Sequence, residues 1–379
     1  MGTYPEPETN IAIQRTPHIL FISLVNFLLN FAVQGSLIFI PLLGAQLGAR
    51  DWQIGLVGAS YGAAFLFSSL FCGWKSDSLG RLLFVRLGLA ASGMAFAAQL
   101  LVQNLFVLIV VRSAVGLSLG IATAALIAYA FESGADMGKY SSYGSLGWIF
   151  GALGAALLKE FHLLFITSSI CCLVALVLSL AFKESAVKKS KINPKIRLVV
   201  RRNFRLYLAV FLRHLGATAV WIILPLYFSL LGIDRFWIGL LWGTNFAVQF
   251  VVMRFLERFD ENKVFAFGQL LSIGVFTAYA FITARPALFA VQALLGVAWS
   301  CLYVGALIIV LRSGEERGTA SGIFQSTLNL CGAVGPFLGG LIAEIWGYHG
   351  VMLFAAGLGV AGLLVAVPAA REAPGHSAR

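Results

Sequence analysis

The sequence predicts an all-α integral membrane protein, with twelve transmembrane helices arranged as two six-helix pseudo-repeats. Three observations lead there. Of 379 residues, 59% are hydrophobic and 11% charged, with a mean hydropathy of +0.89, which leaves too little polar surface to coat a soluble globule of this size. Apolar runs of about 20 residues, the length needed to cross roughly 30 Å of hydrocarbon, recur twelve times. Charges gather where those runs end, as at Lys75, Asp77, Arg81 and Arg86, set between the charge-free stretches 52–72 and 87–111.

The runs cover 18–43, 52–73, 82–102, 105–131, 140–158, 161–182, 204–230, 236–256, 263–283, 287–311, 318–344 and 348–369. The first is too long for a signal-peptide core and lacks a small-residue cleavage site, so it is expected to remain as a helix. An even number of crossings puts both termini on one side. Of the 27 Lys and Arg residues, 21 fall on that side, four on the other (Arg50, Lys159, Arg235, Arg285) and two inside helices. The positive-inside rule then assigns both termini to the cytoplasm, in a multi-pass protein of the cell membrane. The net charge of +11 is therefore a topology signal facing anionic lipid headgroups, and no nucleic-acid partner is expected.

Nine of those basic residues lie between Lys183 and Arg205, in the sole sizeable linker. The expected layout is a cytoplasmic segment 1–17, a six-helix bundle 18–182, a basic linker 183–204, a second bundle 205–370 and a tail 371–379. The halves repeat. Shifted by 184, Pro41-Leu42 meets Pro225-Leu226, Leu47-Gly48 meets Leu231-Gly232, and Ile54-Gly55-Leu56 meets Ile238-Gly239-Leu240. Shifted by 180, Gly88 meets Gly268, Gly116 meets Gly296, Ser133-Gly134 meets Ser313-Gly314, and Gly138 meets Gly318. An even helix count in each half makes the repeats parallel, related by an axis along the membrane normal.

Between the second and third runs stands Gly73-Trp-Lys-Ser-Asp77-Ser-Leu-Gly80-Arg81, read as a compact glycine-punctuated turn. The spacing of Gly73, Asp77, Gly80 and Arg81 resembles the cytoplasmic loop signature of the major facilitator superfamily. The resemblance extends over the whole chain, through the basic central loop, Arg112 with Gly116 and Gly120 in the fourth helix, and Gly332-Ala-Val-Gly335-Pro336-Phe-Leu-Gly339-Gly340 in the eleventh. One departure is that the fifth helix has glycines from Gly144 to Gly154 without the proline many exporters carry there. The resemblance implies that Gly73, Asp77, Gly80 and Arg81 form a conformational latch, with Asp77 bridging to the eleventh helix. The second half keeps only Arg254, Glu257, Arg258, Asp260 and Lys263, without glycines, so the latch is expected to be asymmetric.

The resemblance also implies that helices 1, 4, 7 and 10 line a central cavity, and these hold most of the costly polar side chains. Asn26, Asn30 and Gln34 recur every fourth residue as one polar stripe. Arg112 lies in helix 4, Arg213, His214, Thr218 and Trp221 in helix 7, and Gln292, Trp299 and Tyr303 in helix 10. Together these are the substrate-pathway candidates. Intramembrane arginines are expensive, which makes them functional candidates, although bonding to backbone carbonyls of neighbouring helices is the alternative. Interhelical hydrogen bonding is likewise the alternative for the Asn26, Asn30 and Gln34 stripe.

All sixteen acids lie in loops or near helix ends, so a proton relay at mid-depth would fall to His214. No nucleophile elbow, phosphate-cradling loop or metal-ligand spacing occurs. The five cysteines (Cys72, Cys171, Cys172, Cys301, Cys331) read as small buried hydrophobes. No catalysis, metal or cofactor is expected. The sequence supports a monomeric secondary transporter of a small neutral or anionic organic solute, its coupling to a proton or ion gradient left open. A broad lipophilic drug exporter, and a non-transporting receptor or scaffold of the same fold, stand as alternatives.

Overall fold

The computed structural model describes residues 9–183, 196–314 and 316–372, without the side chains of 9–18, Asp77, Gly318 and 367–372. The basic linker between 184 and 195, the ends of the chain and the Asp77 carboxylate thus lie outside the described residues. Everything described is helix, turn or short connection. The elements are α1 (Thr9–Leu37), α2 (Ile40–Gln46), α3 (Asp51–Leu79), α4 (Arg81–Ala98), α5 (Leu105–Glu132), α6 (Met137–Leu158), α7 (Phe161–Ser179), α8 (Ile196–Leu230), α9 (Arg235–Val252), α10 (Glu261–Phe281), α11 (Arg285–Arg312) and α12 (Arg317–Glu372).

These twelve helices do not map one to one onto the twelve crossings. The first crossing is α1 followed by α2, with Pro41 in the first turn of α2. The last two share α12, whose 48-residue apolar stretch Thr319–Ala366 is broken at Gly347, where φ is 69°. A residue with a Cβ would be strained there. Two boundaries also move: α1 begins at Thr9 and α8 at Ile196, because a helix continues past the hydrocarbon when nothing stops it.

The expected turn from Gly73 to Arg81 is corrected more sharply. Residues 73–79 are all helical, and the reversal consists of Gly80 alone, at φ 100°. Gly73 lies within α3 against Ala124 of α5, so it serves packing. The second half makes the same reversal differently, with a short 3-10 turn at Leu256–Arg258 and Asp260 accepting from the Lys263 amide to start α10.

Other connections follow ordinary capping chemistry. Asn104 accepts from the Val107 amide, Asp136 from Gly138 and Lys139, and Asp234 from Trp237. The α2 and α8 crossings end on the repeat-related Gly48 and Gly232, at φ 78° and 74°.

In a bilayer apolar surface does not drive helices together, so close packing of small residues must. The repeat supplies it in duplicate. A Cβ on Gly116 would run into the Tyr61 carbonyl, and one on Gly296 into the Asn245 carbonyl. Gly88 lies on Ala122 as Gly268 lies on Leu302, and Gly151 on the Phe31 carbonyl as Gly335 on that of Leu215. Large side chains such as Phe67, Phe106, Leu157 and Phe281 project outward, each more than 70% exposed, as a lipid-facing surface requires.

The larger core clusters among the described residues number one at one end and two at the other. One cluster joins both halves, combining Phe39, Ile54, Leu108 and Phe165 with Ile223, Tyr227, Trp242 and Val351. A second belongs wholly to the first half (Ile22, Leu89, Leu126, Tyr129) and a third to the second (Val199, Tyr207, Phe265, Val310). The shared core lies at the face away from the termini, here called distal, and the separate cores lie toward the terminal face.

Candidate functional site

Two seams join the halves. In one, α3 lies against α12, with Gly55 and Gly62 on the backbone of Pro336, Gly340 and Gly332. At its distal end Glu344 Oε2 accepts from the Asp51 amide at 3.1 Å, and the Tyr348 hydroxyl donates to Asp51 Oδ1 at 3.1 Å. In the other, α6 lies against α9 through Gly239 on Ala156. Its distal end is held by Arg235, which donates to the Lys159 carbonyl at 2.7 Å and lies over the Phe161 ring.

At the terminal face the named contacts stay within a half. Arg81 pairs with Glu132 at 2.9 Å and donates to Ser76 Oγ at 2.7 Å. Arg312 pairs with Glu261 at 2.9 Å, and Arg202 with Glu316 at 3.3 Å. The latch residues described thus serve the joint between α3, α4 and α5. The bridge expected from Asp77 to the eleventh crossing lies outside the described side chains. The named polar contacts between the halves thus lie at the distal face.

Between the two seams, at mid-helix depth, lies a group of aromatic rings. His214 of α8 stacks on Trp299 of α11 at 4.8 Å and 25°, and meets Trp221 edge-on at 5.4 Å. Trp221 packs on Trp299 and on Trp242 of α9, at 6.1 and 6.4 Å. Trp242 stacks on Phe246, which meets Trp148 of α6 at 5.1 Å and 88°. Trp148 Nε1 in turn donates to Asn30 Oδ1 at 2.6 Å. The chain of contacts runs without interruption from the first crossing to the seventh. Asn30 and His214 are equivalent residues under the 184-residue shift, so the repeat axis passes between them.

Tyr303 extends the group along α11, 5.4 Å from Trp299. Arg213, 0% exposed, lies behind it: Nε donates to Ser272 Oγ of α10 at 2.9 Å, and the guanidinium is 5.5 Å from the Trp299 ring and 5.4 Å from Phe276. Its two terminal nitrogens have no hydrogen-bond partner among the described residues, nor do His214 Nδ1, Trp221 Nε1 and Trp242 Nε1. Buried donors left in that condition are uncommon, and each asks for an explanation.

Other sequence candidates are placed elsewhere. Asn26 donates to the Tyr140 carbonyl at 2.8 Å, and Gln34 lies under Gly151, so both knit α1 to α6. Thr218 donates to the Cys331 carbonyl and joins α8 to α12. Arg112, 2% exposed, donates to Gln99 Oε1 at 3.2 Å and lies 4.5 Å over Tyr61, inside the first half. Its repeat equivalent Gln292 is fully buried two turns distal of Trp299, with no partner for its amide nitrogen or oxygen among the described residues.

Trp148, Trp242 and Phe246 were absent from the sequence candidates. They lie on the fifth and eighth crossings, and nothing local separates an aromatic that bridges the halves from one that faces lipid. The described residues contain no cluster of His, Cys, Asp and Glu able to hold a metal.

Comparison with known proteins agrees with this architecture. The model of the family described as "Major Facilitator Superfamily" matches residues 22–244 and 206–379. Among curated relatives, the Multidrug resistance protein MdtG of Escherichia fergusonii is 24% identical over 384 residues, covering 92% of this chain and 93% of that protein. MdtG of Escherichia coli (strain 55989 / EAEC) is 25% identical over 355 residues, covering 84% and 86%. Among solved structures, a bacterial homologue of the human lysosomal transporter Spinster, inward-facing and occupied, superposes with a TM-score of 0.78 at 14% identity, over 94% of this chain and 97% of that one. A variant of the nucleoside transporter NupG gives 0.75 at 17% identity, over 92% and 99%. The human organic anion transporter MFSD10 (TETRAN) gives 0.68 at 18%, over 95% and 100%.

Proposed function

The chain belongs to the Major Facilitator Superfamily, and from that premise we propose that it is a secondary active transporter moving a small neutral or anionic organic solute by alternating access. It is a multi-pass membrane protein, and the family handles small-molecule solutes across membranes. The observation that carries the finer reading is the mid-depth aromatic group shared by the halves, with Arg213 beside it. Among the described residues, the acids lie at helix ends or in connections, so the field at that depth is positive, which disfavours a cation and tolerates a neutral or anionic guest.

The excess of basic residues on the terminal face supports a cytoplasmic orientation for it. The polar contacts between the halves then lie at the outer face. Rocking of one half on the other about the distal seams would expose the same site to the opposite side. The residues assigned to the site are His214, Trp221, Trp299 and Tyr303 in the second half and Asn30 in the first, with Arg213 acting through its charge. A proton or ion gradient would drive the cycle, and His214 is the titratable side chain at that depth able to carry a proton.

The names of the MdtG relatives favour a second reading, a broad exporter of lipophilic drugs, for which the same aromatic surface would serve. Counterflow in proteoliposomes, with a panel of neutral, anionic and cationic organic solutes, separates the two. Exchange of anions that Arg213→Gln weakens by about tenfold, or ~1.4 kcal/mol, supports the first reading. Full anion affinity in Arg213→Gln removes it, and exchange mainly of lipophilic cations installs the second.

A further inference from the structure

We infer that the mid-depth site selects planar aromatic molecules bearing hydrogen-bond acceptors, uncharged or anionic, held between the indoles of Trp221 and Trp242 and the Asn30–Trp148 pair of the opposite half. This rests on the transporter reading above and names its substrate class. Three independent features converge on it.

The first is shape. Trp148, Trp221, Trp242, Phe246, Trp299 and His214 come from four helices and are held mostly edge-to-face, with interplanar angles of 76° to 88° for four of their six contacts. Such an arrangement presents both faces and edges, which a flat π-system can match by stacking on one ring while meeting the edge of the next. A saturated ring of the same size has neither the flat face nor the quadrupole.

The second is hydrogen-bond polarity. An indole N–H donates and never accepts. Trp221 Nε1 and Trp242 Nε1 belong to neighbouring rings and both lack an acceptor among the described residues, although Trp242 is only 7% exposed. Trp148 Nε1 shows the contrast, since its need is met by Asn30 at 2.6 Å. Two adjacent buried donors are satisfied by a guest whose rim carries carbonyl, carboxylate or ring-nitrogen acceptors.

The third is charge. Aromatic clusters attract cations through their faces, but here the Arg213 guanidinium already lies over Trp299 and Phe276. Among the described residues no carboxylate accompanies the rings, so a second cation meets repulsion without compensation. The result is a donor-lined aromatic box with a positive bias.

The test is isothermal titration of the purified full-length protein with four probes: 1-naphthoate, coumarin, decahydro-1-naphthoate and N-methylquinolinium. Saturable binding of 1-naphthoate and coumarin is expected, with the saturated acid at least about tenfold weaker and the cation not binding. Trp242→Phe keeps the ring and removes the donor. It is expected to weaken both aromatic acceptors by about five- to tenfold. Trp221→Phe serves as an independent second variant. The inference is overturned if the saturated acid binds as tightly as 1-naphthoate, if the cation binds best, if no probe binds, or if both Phe variants keep full affinity. Those results leave the transporter reading standing, which instead fails if introduced cysteines on the two faces do not change accessibility reciprocally.

Discussion

Glu132 and Arg312 occupy equivalent positions in the two halves, under the 180-residue offset of the repeat, and carry opposite charges. Glu132 pairs with Arg81 and Arg312 with Glu261, each at 2.9 Å and each across 51 positions of sequence. The same ion pair is therefore built twice with its polarity reversed.

Partly exposed pairs of this kind contribute about 0–1 kcal/mol to stability, so their value lies in the cycle. Alternating access is expected to bring the repeat-related ends of α5 and α11 toward one another when the terminal face closes, with Glu132 meeting Arg312 at opposite sign. Reversing the first pair alone (Arg81→Glu with Glu132→Arg) keeps that half joined but sets two arginines against each other, and transport should fall severalfold. Reversing the second pair as well (Glu261→Arg with Arg312→Glu) should restore it. Transport rates of the two variants decide this, and equal loss in both would refute the cross-half encounter.

The distal closure should weaken without the Tyr348 hydroxyl, which donates to Asp51 Oδ1 at 3.1 Å. Loss of one such bond is worth about 1 kcal/mol, or roughly fivefold in an equilibrium. A cysteine placed at Ile222, in the seam beside Gly58, is then expected to react several times faster with an impermeant maleimide in Tyr348→Phe than in its parent. Unchanged labelling would show that the seam does not depend on that bond.

Gly62 and Gly332 face each other across the α3 and α12 seam, yet they should respond differently to alanine. A Cβ on Gly62 meets the Gly332 carbonyl, whereas a Cβ on Gly332 meets nothing within 4 Å. Gly62→Ala is predicted to prop the seam apart at a cost of about 1–3 kcal/mol and slow the cycle. Gly332→Ala should be silent in melting temperature and transport, and identical behaviour of the two would contradict the packing.

Asn30 and Asn26 separate function from packing within one stripe. Asn26→Leu removes the bond from α1 to the Tyr140 carbonyl and is expected to lower the melting temperature without changing solute affinity in the protein that remains folded. Asn30→Leu strips Trp148 of its 2.6 Å acceptor and should weaken solute binding. Thermal unfolding and titration, run on both variants, distinguish the roles.

Much of this was legible beforehand. The two sequence offsets, 184 and 180, reappear as duplicated glycine contacts such as Gly151 on Phe31 and Gly335 on Leu215. His214 and Trp221 of one helix and Trp299 of another do meet. The Gly73–Arg81 segment was misread as a turn because its polar residues and glycines match both a loop and the polar end of a helix that has left the hydrocarbon. Only Gly80 carries a backbone conformation that requires glycine.

What the sequence determined by itself is the number of crossings, the twofold repeat and the charge asymmetry, since each is written as a one-dimensional pattern of apolar length and polar interruption that a bilayer enforces. Which face of each helix meets a neighbour was left to the tertiary structure. A membrane helix is apolar toward lipid and toward protein alike, so its pattern does not encode its rotation. Packing alone turned Asn26, Gln34 and Thr218 into helix joints, enclosed Arg112 with Gln99 and Tyr61, and drew Trp148 and Trp242 toward the axis between Asn30 and His214.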